Sequence, residues 1–182
     1  ILNLNLEKYN TNNSQHFKTD VDIIINKNQK NENIGLIDNA LINIRGISVP
    51  GYKISNLIKT NQDSFLIKRY INNIKNFNIF AIFDGHGLFG QKISLFIKEA
   101  LFNILANNSK IKKLTNINDV YNTIKKDNYR LIKDIFIEID NIILGKIKDI
   151  DVNMSGATCY LLIQLGDNLI SANIGNSKAI IV

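Results

Sequence analysis

The sequence predicts an α+β domain, and three observations carry that reading. Residues 77–83 (Phe-Asn-Ile-Phe-Ala-Ile-Phe) form a short apolar run rich in aromatic and β-branched residues, the pattern of a buried strand. From Ile93 the period becomes helical, with Ile93, Phe96, Ile97, Ala100, Leu101, Ile104 and Leu105 on one face. Strand hairpins flank two consecutive helical patterns, and no regular alternation of strand and helix is present.

In chain order, residues 1–38 are polar and Asn-rich, with one apolar island at 21–25, and read as an extension. His16 lies in this region and reads as a solvated histidine rather than a ligand. Residues 40–49 read as a strand, and Pro50-Gly51 as a turn. A second strand is expected over 64–67, followed by a hairpin loop over 70–76 and the strand 77–83. The first helix is expected over 90–106. After a polar connection at 107–114, Thr115 or Asn116 is placed to cap a second helix. The buried face of that helix is Val120, Ile124, Leu131, Ile135, Phe136, Ile139 and Ile143, with Asp127-Asn128 a candidate break. Gly145 or the Lys-rich stretch after it ends the helix. Residues 157–165 read as a strand, Gly166-Asp167-Asn168 as a hairpin turn, and 169–174 as the returning strand. Gly175-Asn176-Ser177 turns again, and the apolar run at 178–182 is expected to start another strand. An apolar edge at the last residues invites aggregation, so the chain is expected to be part of a longer one.

The chain has 182 residues, 45% hydrophobic, enough for one domain with a sizeable core. The net charge is +6, with an isoelectric point near 9.3. Its lysines are scattered, without a dense run interleaved with aromatics, and read as solvated surface; a basic nucleic-acid module ranks last among the functional readings. Cys159, the single cysteine, excludes an internal disulfide and sits in an apolar strand pattern as a small core residue. It fits a reducing, intracellular setting, cytoplasmic or nuclear. No apolar run is long enough to span a bilayer as a helix.

Between the 77–83 strand and its helix stand Asp84, Gly85, His86 and Gly87. They put a carboxylate, an open backbone and an imidazole at the end of a rigid element, which holds reacting groups more precisely than a free loop. The Asp84 carboxylate and the Gly85 carbonyl are hard oxygen donors suited to Mg²⁺ or Mn²⁺ rather than zinc. His86 is able to protonate a leaving group. The plainer alternative is a tight turn in which Asp84 caps the next helix.

Three motifs occur in order: Asn61-Gln62-Asp63-Ser64-Phe65; Phe80-Ala81-Ile82-Phe83-Asp84-Gly85-His86-Gly87; and Ser155-Gly156-Ala157-Thr158 with Ser171-Ala172-Asn173-Ile174-Gly175-Asn176-Ser177-Lys178-Ala179. From about Gly46 to Val182 this arrangement resembles the metal-dependent serine/threonine protein phosphatases of the PP2C (PPM) family. Residues 39–182 are read as the N-terminal portion of such a domain, behind the 1–38 extension. The resemblance implies a four-layer α-β-β-α sandwich of two antiparallel sheets flanked by helices, incomplete at its C-terminal end. It also implies two Mg²⁺ or Mn²⁺ ions that activate a water and clamp the phosphate of a phosphoprotein substrate. Residue by residue, Asp84 matches the aspartate bridging both ions, and Gly85 the glycine whose carbonyl binds one of them. His86 matches the general acid for the leaving Ser or Thr alkoxide, and Asp63 the supporting acid on the neighbouring strand. Asp84 and His86 are thus the implied catalytic residues, and Asp63, Asp84 and Gly85 the implied metal set.

The sequence also departs from the family pattern. Gln62 stands where many members have a second acid, and Asn176 replaces the aspartate of the Gly-Asp-Ser turn. Lys59 is the cation nearest the place of the family's phosphate-binding arginine and lacks its bidentate fork. The family's last metal-binding aspartates belong to a part of the domain beyond Val182, so the segment carries half a metal site and is expected to be inactive alone. The alternative reading is a pseudophosphatase that uses the fold as a protein-binding module.

Overall fold

The computed structural model describes residues 46–52, 54, 58–146 and 152–180. The extension at 1–38 with His16, the first part (40–45) of the strand expected at 40–49 and the last two residues lie outside them. In chain order the elements are β1 (Ser64–Lys68), β2 (Phe77–Phe83), β3 (Gly85–His86), α1 (Gly90–Asn107), α2 (Ile117–Lys146), β4 (Gly156–Ala157), β5 (Cys159–Leu165) and β6 (Asn168–Ile174). Two sequence expectations fail at the ends of this span. Neither residues 46–49 nor residues 178–180 form a strand, because no neighbouring strand among the described residues pairs with them.

β1, β2, β5 and β6 make one antiparallel sheet in the order β1-β2-β5-β6. β1 and β2 join through the expected 70–76 loop, which contains a short 3-10 turn at Ile71–Asn73. The β5–β6 hairpin closes on Gly166-Asp167, where Leu165 pairs with Asn168 and Gly166 takes a positive φ of 60°. Glycine first in a two-residue hairpin loop meets that backbone demand without steric cost.

Alternation along the strands decides which face is covered. Leu66, Phe77, Ile79, Ala81, Phe83, Leu161, Ile163, Leu165 and Ile170 are buried on one face. α1 lies over β1 and β2, and α2 beside α1 and over β5. The face read from the sequence of α1 is buried throughout, and that of α2 is buried except for the half-buried Phe136. Each buried Ile, Leu, Val or Phe among them contributes about 1.5–3 kcal/mol by leaving water. Asn116 caps α2: its Oδ1 accepts the Asn118 N–H at 2.7 Å. The candidate break is present, since Asp127, Asn128 and Tyr129 all take left-handed backbone angles.

The opposite sheet face carries half-buried Phe65, Ile67, Phe80 and Leu162, with Ile82 45% and Leu169 53% exposed. This is too apolar for a face turned to water alone. The protein is an α+β fold of antiparallel sheets and helices, consistent with part of the four-layer sandwich. Its second large sheet is absent from the described residues.

Candidate active site

Strand register gathers the motifs at one end of the sheet. Ser64 pairs with Phe83, so one step further Asp63 falls opposite Asp84. The β2–β5 and β3–β4 pairings share a register that sets Asp84 opposite Thr158. Cys159 pairs with Ile174, which sets Thr158 opposite Gly175. Asp63, Asp84, Thr158 and Gly175 thus stand in one row, one from each of the three motifs and a second from the last.

Hydrogen bonds fix that row. The Thr158 N–H donates to the Asp84 carbonyl at 2.9 Å, and the Asp84 N–H donates to Thr158 Oγ1 at 3.1 Å. Thr158 Oγ1 also lies 2.6 Å from Ser177 Oγ, in hydrogen-bond contact with the Gly175-Asn176-Ser177 turn. A hydroxyl takes the donor that a regular ladder would give to a carbonyl. The strand expected over 157–165 is therefore split at Thr158 into β4 and β5. Gly175, at φ 96°, has Thr158 Cγ2 within 2.8 Å of where a Cβ would stand, so the row has no room for a side chain there.

The Asp63 and Asp84 side chains are neighbours on one face across the β1–β2 register. The Asp63 pKa is raised above its ordinary value. Partial desolvation of this otherwise exposed group is the leading cause, followed by the Asp84 charge and the hydrogen bond to it, while Lys59 pulls the other way. Asn61 braces the approach, accepting the Asp63 N–H at 3.1 Å through Oδ1 and donating to Ser48 Oγ at 2.7 Å.

Gly85 is wedged between the Gly90 and Gln62 carbonyls, both of which would meet a Cβ. Its lack of a side chain is thus a packing requirement as well as a route of approach to its carbonyl. His86 is exposed, and its imidazole lies over Gly156, where an added Cβ would stand 2.8 Å from Nε2. Asp84 does not cap α1. The N-cap is Phe89, without a side-chain cap, and the Phe89 N–H is taken by Ser155 Oγ at 3.0 Å. The capping alternative fails because Thr158 holds the Asp84 backbone in the sheet.

Two carboxylates set opposite each other, one with its pKa raised by partial burial and then by the other's charge, are a donor set that a hard cation would relieve, so the pair fits part of a Mg²⁺ or Mn²⁺ site. Among the described residues no group of three or more His, Cys, Asp or Glu assembles, so the pair falls short of a full ligand set. Asn176 is exposed in its turn, and Lys59 stands near Asp63. Thr158, Ser155 and Gly156 have no role that their residue type announces; strand register counted outward from the hairpins places Thr158 opposite Asp84 and Gly156 opposite His86.

The family model for protein phosphatase 2C matches residues 48–182. The chain belongs to the protein phosphatase 2C family. It is 29% identical over 135 residues to "Probable protein phosphatase 2C 35" of Arabidopsis thaliana, covering 74% of this chain and 34% of that protein. It is 33% identical over 105 residues to "Probable protein phosphatase 2C 45" of Oryza sativa subsp. japonica, covering 57% of this chain and 30% of that protein. The matched part of this protein phosphatase 2C chain thus spans about a third of the length of these curated relatives. No helix among the described residues is long and apolar enough to cross a membrane.

Proposed function

We propose that this chain supplies the N-terminal part, from about residue 39, of the catalytic domain of a metal-dependent protein serine/threonine phosphatase. The supporting observation is the strand register that sets Asp63 opposite Asp84 at the end of the sheet. Asp84 and Asp63 hold the cations, with the Gly85 carbonyl as a further oxygen donor. When bound, a pair of Mg²⁺ or Mn²⁺ ions supplies water activation and charge neutralisation at the phosphoryl oxygens. Thr158 fixes the Asp84 backbone, so the carboxylate does not have to be ordered at the moment of reaction. His86, exposed at the mouth, donates a proton to the leaving Ser or Thr alkoxide of a phosphoprotein substrate. The remaining acids come from a part of the domain outside this segment, which alone has little activity. The buried, unreactive Cys159 is in keeping with an intracellular setting, cytoplasmic or nuclear. The names of the matched relatives give no support to the binding-module alternative.

The test is phosphatase assay of the complete protein on Ser/Thr phosphopeptides with Mn²⁺ or Mg²⁺. Activity is expected, is abolished by EDTA, and falls at least about 100-fold in Asp84→Asn, which keeps shape and removes charge. Metal-independent turnover, or full turnover in Asp84→Asn, overturns the proposal.

A further inference from the structure

Gln62 occupies a place where an acid would serve as a ligand, yet its side chain is committed elsewhere. Its Nε2 donates to the Gly87 carbonyl at 2.6 Å, across the Asp84–Gly87 turn. Its Oε1 and Cδ pack against Gly90, where an added Cβ would stand 3.2 Å from each. Its own carbonyl accepts the hydroxyl of the fully buried Ser94 of α1 at 2.6 Å. Gln62 is therefore tied at both ends: its main chain to α1, its side chain to the turn before α1.

The partner it holds is a backbone group that needs holding. Gly87 is left-handed at φ 80°, and the Met154 carbonyl and Ser155 leave no space for a side chain there. Among the described residues its carbonyl receives, besides the Gln62 amide, a long backbone contact from the Gly90 N–H at 3.5 Å. The residue must be a donor to make this bond. A carboxylate at position 62 is an acceptor only and would face the Gly87 carbonyl oxygen with like charge.

We infer that Gln62 is a positioning residue: its amide sets the Gly87 carbonyl and so the turn that presents His86, while Thr158 holds Asp84, and it is not a substitute ligand. The inference rests on the phosphatase reading for its catalytic consequence, but the structural part stands apart from it and is measured without metal or substrate.

The experiment compares the complete protein with Gln62→Met and Gln62→Glu, both close to Gln in shape and both without the donor. Hydrogen exchange of the Leu88, Phe89 and Gly90 amides in EDTA is expected to quicken roughly five- to tenfold in both, the effect of losing one hydrogen bond. Mn²⁺ affinity, read by calorimetry, is expected to stay within about twofold in Gln62→Met. Phosphopeptide kcat is expected to fall roughly 10- to 100-fold in both with KM little changed, the mark of a displaced reacting group. Unchanged exchange in both variants overturns the positioning role. So does a tenfold loss of Mn²⁺ affinity in Gln62→Met together with a tenfold gain in Gln62→Glu, which is the behaviour of a ligand. Faster exchange in a protein that has no phosphatase activity in any form keeps the positioning role and rejects the phosphatase reading instead.

Discussion

Thr158 grips Asp84 from two sides, giving its N–H to the Asp84 carbonyl at 2.9 Å and accepting the Asp84 N–H on its hydroxyl at 3.1 Å. The hydroxyl is the replaceable half of this grip. Thr158→Val keeps the shape and removes the oxygen, leaving the Asp84 N–H and Ser177 without it. The expected cost is about 1 kcal/mol, read from urea unfolding, because an exposed N–H recovers a bond to water. Thr158→Ser restores most of it. Equal stability of Val and wild type would show that the hydroxyl contributes nothing.

His86 and Gly156 form a second testable pair. A Cβ at position 156 would stand 2.8 Å from His86 Nε2. Gly156→Ala is expected to displace the exposed imidazole with little change in melting temperature. Turnover of Ser/Thr phosphopeptides by the complete protein should fall roughly tenfold or more, as in His86→Ala, and nitrophenyl phosphate much less, since nitrophenolate hardly needs a proton. The double substitution should be no worse than His86→Ala alone; additive losses would place the two residues in separate roles.

Asp63 gives a pH signature in the metal-free protein. Its folded pKa lies above the ordinary 3.8, so the protonated form favours folding. That contribution is complete below the unfolded value and is lost as pH rises through the folded one. In EDTA, Asp63→Asn is therefore expected to be more stable than wild type at pH 7, with the advantage shrinking toward pH 3.5. Urea midpoints at the two pH values read this directly, and a pH-independent difference contradicts it.

Burial pushes the Cys159 thiol up to about 12 from 9.0. It therefore stays neutral across the physiological range, and its neutral form destabilises nothing until pH passes 9. In the folded protein at pH 8 it should not react with a disulfide reagent over an hour, whereas in guanidinium one thiol per chain should react at once. Rapid reaction of the native protein would mean that β5 opens readily.

The parts of the fold legible in the sequence are those written in local period. Phe77–Phe83 is a strand in the sequence and in the structure. The α1 face from Ile93 to Leu105 follows from apolar spacing that only a helix brings together. The Gly166-Asp167 hairpin announces itself through a glycine that accepts a positive φ. The site was legible only as letters: Asp63, Asp84, Gly85 and His86 stand out by type, and the resemblance, not the period, supplied their roles.

The juxtapositions were decided by tertiary structure. Asp63 meets Asp84 because the β1–β2 register runs one step past Ser64 and Phe83. Thr158 reaches Asp84 across 74 residues of chain, and that bond divides a run that reads as one strand. Gln62 reads in the sequence as a weakened ligand, and in the structure its amide donates to Gly87. Side-chain type and period are properties of neighbours along the chain, so the sequence by itself determined β2, the β5–β6 hairpin, the two helices and the identity of the reactive groups. Register, and the choice between carbonyl, hydroxyl and carboxyl partners, depends on which distant segments share the sheet, and the collapse of the α1 and α2 faces onto that sheet settles it.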